Sequence, residues 1–225
     1  MHGSPHIVSD VMTPTVVAVG RDAPFKDIVT LMEQWKVSAL PVLEGEGRVI
    51  GVVSEADLLP KEEFRDSDPE RFTRQRRLAD LAKASGLTAR DLMSTPAVTV
   101  HADAALAEAA RIMAQRKIKR LPVVNDVGLL EGIVSRADLL KVFLREDEDL
   151  AEEVRHEVID RLFPLSADHI QVEASEGVVT LTGWVESTGL VPVAERLARA
   201  VEGVVDVRCH LAQASARSEE WSERR

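Results

Sequence analysis

The 225-residue chain has one cysteine, Cys209, so no intrachain disulfide can form and a disulfide-held secreted scaffold is excluded. It has no apolar run near the ~18 residues that a membrane span needs. Its first residues, Met1-His2-Gly3-Ser4-Pro5-His6, lack both the basic start and the apolar stretch of a secretory leader. The protein is therefore expected in the cytoplasm. Positive charge is also short: 28 Lys and Arg face 38 Asp and Glu, a formal net charge of −10. That balance argues against non-specific binding to nucleic acid or to acidic membrane. There is no zinc-type Cys/His spacing, no Walker loop and no nucleophile constellation. The chain is accordingly read as having no catalytic and no metal-binding residues, with His2 and His6 incidental on a flexible end.

What the chain does have is one pattern stated twice, 81 positions apart. Gly51-Val52-Val53-Ser54-Glu55-Ala56-Asp57-Leu58-Leu59 recurs as Gly132-Ile133-Val134-Ser135-Arg136-Ala137-Asp138-Leu139-Leu140. Leu40-Pro41-Val42 recurs as Leu121-Pro122-Val123, and Asp10-Val11-Met12-Thr13 as Asp91-Leu92-Met93-Ser94. A duplicated unit can pair with its twin about a two-fold axis and build two related clefts. Such a design favours a ligand-binding module over a single catalytic centre.

Each copy reads strand, helix, strand, strand, helix. In the first, Val16 to Val19 is a β-branched run. Asp22-Ala23-Pro24 opens a helix, with Asp22 as its cap. Phe25, Ile28, Val29, Leu31, Met32 and Trp35 form its apolar face. Leu40 to Leu43 and Val49 to Val53 are strands, and Ser54 starts a short helix. The second copy has strands at 98–100, 121–124 and 130–134, with helices over 104–117 and from Ser135. Glu70 to Ala84 reads as a connecting helix carrying Arg71, Arg74, Arg76 and Arg77. These are read as a solvated face rather than a nucleic-acid patch, so nucleic acid is not an expected partner.

The residue pattern that carries chemistry is Gly-apolar-apolar-Ser-x-x-Asp at a strand-to-helix junction. Ser followed three residues later by an acid is a capping box, and both side chains could serve only that purpose. The pattern also suits a ligand: an Asp carboxylate there can accept two hydrogen bonds from a ribose diol, and the preceding Gly permits close approach of another group.

These motifs resemble a tandem pair of CBS domains over about residues 7–144. The resemblance implies a Bateman module in an α+β fold: two βαββα units packed about a pseudo-two-fold axis, with two clefts. CBS domain 1 would span 7–59, a connecting segment with a helix 60–87, and CBS domain 2 88–144. It further implies an adenosine ligand (AMP, ADP, ATP or S-adenosylmethionine), no catalytic cofactor, a homodimer and an unidentified protein target. Carried over residue by residue, the favoured cleft would use Ser135 and Asp138, with Thr13, Val17, Val37, Ser38 and Ala39 around the base. Lys119 and Arg120 would face its phosphates, unless they only complement a helix end. The second cleft would use Ser54, Asp57, Ser94, Val98, Ile118 and Lys119. CBS pairs also occur in IMP dehydrogenase, but its barrel needs about 250 residues that are not left over here.

Residues 150–213 resemble a BON domain, a small α/β unit, through Glu176-Gly177-Val178-Val179-Thr180-Leu181-Thr182-Gly183 and Glu202-Gly203-Val204-Val205-Asp206-Val207. A polar tail, 214–225, follows. The family's proposed role is attachment to phospholipid or protein. From Asp149 onward fifteen Asp and Glu outnumber eight Arg, with no Lys, so anionic lipid is disfavoured and protein docking preferred. Trp184 is either a core aromatic or an exposed anchor, with core the favoured reading.

Overall fold

The computed structural model describes residues 6–63 and 83–214. Arg71, Arg74, Arg76 and Arg77, most of the expected connecting helix, and the tail beyond 214 lie outside the described residues. The chain divides into two compact units, one over Ile7–Leu139 and one built on the residues from Leu140 onward with His6. The mixed helix-and-strand content is the expected α+β class.

In the first copy β1 (Val19–Gly20) runs parallel to β2 (Ala39–Glu44), which pairs antiparallel with β3 (Arg48–Ser54). Ala39 to Val42 are all buried, the near-continuous pattern of a strand covered on both faces. The helix Phe25–Trp35 buries Ile28 and Met32 against this sheet. Each such side chain contributes about 1.5–3 kcal/mol. The apolar face is narrower than expected: Val29, on the flank of the stripe, is 41% exposed and Trp35, on the last turn, 54%. The cap also differs from expectation. It is Pro24, in extended conformation, and Asp22 lies outside the helix. Ala23 and Pro24 are drawn out by pairing with the second copy, where Ala89 donates to the Ala23 carbonyl at 2.9 Å.

The second copy repeats most of the plan with helix Leu106–Arg116, β4 (Arg120–Val124) and β5 (Leu130–Ser135), but the strand expected at 98–100 is reduced to a single parallel bridge between Val100 and Val123. The duplication extends to irregular features. Register shifts fall between Val42 and Leu43 and between Val123 and Val124. Both long helices end in a lysine in the left-handed region, Lys36 at φ 54° and Lys117 at φ 56°. Contacts between copies come in pairs related by the 81-residue offset: Ile7 with Ala105 and Pro24 with Thr88, then Thr13 with Ile133 and Val52 with Ser94. Arg48 pairs with Leu129, its own counterpart. That set of pairings is the signature of a pseudo-two-fold axis passing beside Arg48 and Leu129.

The other unit starts with the helix Asp147–Val154, which continues through a wider turn at Arg155–Ile159. β6 (Ile170–Ser175) and β7 (Val178–Val185) form a hairpin, and β8 (Asp206–Gln213) runs parallel to β7. Glu176 and Gly177 turn the hairpin with φ values of 50° and 74°, as a two-residue primed turn requires. The helix Val191–Ala200 buries Ala194 and Ala198 in a core with Leu150, Ile159, Leu181 and Val207. Trp184 corrects the sequence reading. Val179, Leu181 and Val185 point inward along β7, so alternation puts Trp184 on the outer face. It is 39% exposed and stacks on His169 with ring centroids 4.0 Å apart.

Candidate functional site

The site grows from the end of β3, where the chain turns into the short helix Glu55–Leu58. Ser54 donates its amide (2.8 Å) and its hydroxyl (2.6 Å) to Asp57 Oδ2. These bonds close the predicted capping box and fix the Asp57 rotamer. Asp57 is 8% exposed, a rare burial for a carboxylate. Its other oxygen, Oδ1, accepts from Lys83 Nζ and, at 3.3 Å, from the Ser94 hydroxyl. The second copy matches at Ser135, which donates its amide (2.9 Å) and hydroxyl (2.6 Å) to Asp138 Oδ2.

Gly51 explains how Ser94 reaches Asp57. A Cβ at Gly51 would stand 2.5 Å from Met93 Sδ and 3.0 Å from the Ser94 carbonyl. The close approach expected at this glycine is therefore made by the other copy's backbone. Val52 donates to the Ser94 carbonyl at 3.1 Å, and Ser94 donates back at 2.9 Å. Gly132 admits Met12 and Thr13 in the same way.

Beside Asp57 lies a cavity of about 260 Å³. Ser54, Asp57, Ser94, Val98, Ile118 and Lys119, the residues expected in the second cleft, all line it. Ser38, Ala39 and Arg120, expected with Asp138, line this same cavity. Thr13, Val17, Val37, Ser135 and Asp138 do not line it: Val17 and Val37 pack on the first copy's core, and Thr13 pairs with Ile133. Arg120 donates to the Ser38 hydroxyl at 2.7 Å. Burial pulls the Arg120 guanidinium below its ordinary pKa, while the charges of Glu55 and Asp138 oppose that shift. Glu55, Lys117 and Pro96 also line the cavity and were not foreseen. Lys83 was not foreseen either, because it belongs to neither repeat and no motif marks it.

Family models match the CBS domain at residues 8–61 and 89–145 and the BON domain at 146–215. A solved structure of CBSX2 in complex with AMP is 32% identical with a TM-score of 0.54, covering 62% of this chain and 97% of that one. The chain is a CBS-domain pair followed by a BON domain. CBSX2 is a chloroplastic CBS domain-containing protein of Arabidopsis thaliana. The uncharacterized protein MJ1426 of Methanocaldococcus jannaschii is 28% identical over 160 residues, 64% of this chain and 95% of that protein. The CBS domain pair of MJ0100, solved in complex with 5-methylthioadenosine and S-adenosyl-L-methionine, shares the fold at 18% identity. Its TM-score is 0.50, over 62% of this chain and 97% of that one.

In the BON domain one acidic side chain has a structural role. Asp147 accepts the amides of Glu176 and Gly177, both at 2.8 Å, and so pins the hairpin turn. Among the described residues no group of three or more His, Cys, Asp or Glu is placed to hold a metal ion. Nor is any described helix long and apolar enough to cross a membrane.

Proposed function

We propose that the CBS pair binds an adenosine nucleotide in the cavity beside Asp57 and acts as a regulatory sensor rather than an enzyme. The observation that carries this reading is the cavity itself. It combines the buried Asp57, bonded by Ser54, with Lys117, Lys119 and Arg120. A carboxylate suits a ribose diol, and clustered cations suit phosphate. The 32% identical CBSX2, solved with AMP, supports the same class of ligand. AMP, ADP and ATP fit the cations best, with S-adenosylmethionine as a further candidate. The Ser135–Asp138 cleft, with Thr13, Val17 and Val37 around the base, is proposed as a second site. The protein would work as a homodimer in the cytoplasm. Its acidic BON domain would dock a protein rather than phospholipid, and flotation with acidic liposomes at physiological salt separates those two roles.

A rival reading is that the clefts are vestigial and the module is purely structural. Its support is that both serine–aspartate pairs close as capping contacts. A thermal-shift screen with AMP, ADP, ATP and S-adenosylmethionine decides. A ligand at 100 times its Kd stabilises by about 2.7 kcal/mol. No shift with any of them favours the structural module.

A further inference from the structure

We infer that Lys83 is a built-in competitor for the ligand at Asp57, so that a ligand reaching this carboxylate must displace Lys83. The inference rests on the nucleotide reading above. An ionised carboxylate offers about four acceptor positions. At Asp57 four donors already take them: the Ser54 amide and hydroxyl on Oδ2, and Lys83 Nζ and the Ser94 hydroxyl on Oδ1. The Ser54 bonds belong to the helix cap, so Oδ1 is the oxygen left for a ribose diol. Reaching it means displacing Lys83.

Lys83 is not a loose surface cation. Its side chain is 22% exposed and that of Asp57 10%, so solvent screens the pair only weakly. The backbone just after it is held by Lys61. Lys61 Nζ donates to the carbonyls of Gly86 (2.8 Å) and Ala84 (3.1 Å) and sits 5.0 Å from the centre of the Phe25 ring. The two lysines form a clasp: Lys61 holds the carbonyls of Ala84 and Gly86, and the adjacent Lys83 reaches Asp57. Ligand and clasp exclude each other at Oδ1, so the coupling is reciprocal. Whatever draws Lys83 away favours nucleotide, and nucleotide frees Lys83.

The test is calorimetric titration of AMP into the full chain, as wild type, Lys83→Gln and Lys83→Ala. Each variant removes the competing cation. Losing a charge-assisted contact to Asp57 should tighten AMP binding about tenfold or more. Wild type and both variants binding AMP equally, or the variants more weakly, overturns the clasp and leaves the nucleotide reading standing. No binding of AMP, ADP or ATP by wild type or variants overturns both.

Discussion

Arg120 donates to the Ser38 hydroxyl at 2.7 Å, joining two positions at which the copies differ in charge. The counterpart of Arg120 is Ala39, and that of Ser38 is Lys119. The guanidinium is half-buried and lines the cavity with Asp57. Arg120→Ala should weaken AMP binding by about 1.5–3 kcal/mol, the worth of a hydrogen bond to a charged group. Ser38→Ala should cost less than Arg120→Ala, since it leaves the cation in place. Isothermal titration of the two variants gives the order directly.

Asp57 and Asp138 each accept two hydrogen bonds from the serine that starts their helix. Asp138→Asn should cost about 1 kcal/mol of stability in urea denaturation, the usual worth of a helix cap, and Asp57→Asn more, since it also breaks the pair with Lys83. Asp57→Asn should also remove AMP binding at the Arg120 cavity. If Asp57→Asn leaves AMP affinity unchanged, the proposed site is wrong.

Gly51 and Gly132 are crossed by the other copy's backbone. An added Cβ would sit 2.5 Å from Met93 Sδ at Gly51 and 2.6 Å from Met12 Sδ at Gly132. Methionine can shift, but the Ser94 and Thr13 carbonyls, at 3.0 and 3.1 Å, are backbone. Gly51→Ala and Gly132→Ala should each destabilise the CBS pair by about 1–3 kcal/mol. Chemical denaturation measures this, and a change below a few tenths of a kcal/mol would show that the crossing strands yield freely.

Much of this architecture was legible because the repeat is an arithmetic signal. A constant offset predicts paired contacts, and the Ser–Asp motif predicts a capped, positioned carboxylate. The occupants of the Asp57 cavity were harder to read. Whether Arg120 turns toward one cleft or the other depends on its rotamer and on the Ser38 hydroxyl, and neither has a sequence period. Lys83 was invisible for a related reason: its role comes from where the chain returns after leaving the first repeat. Trp184 could have been placed correctly, since the alternation of Val179, Leu181 and Val185 already put it outside.

Asp91 is held in its ionised form by the start of its own helix. The Thr88 hydroxyl first, and then the amides of Thr88 and Leu87, hold its carboxyl below the ordinary carboxylate range. A depressed folded pKa stabilises the protein above the unfolded value, and that stability is lost as pH falls through the folded one. An NMR titration of the Asp91 carboxyl should therefore have its midpoint below that of an unstructured aspartate. In Thr88→Val the midpoint should move back up.

The crossing at Gly51 also has a consequence for synthesis. In the sheet order β1-β2-β3, β3 is an edge, and the outer partner of Val52 is Ser94. A nascent chain that has just completed the first repeat exposes that edge until the segment around Ser94 leaves the ribosome. Unpaired edges recruit other strands. Translation that stalls within the connecting segment should therefore yield an aggregation-prone fragment, whereas a chain extended past β5 has both crossings available to close.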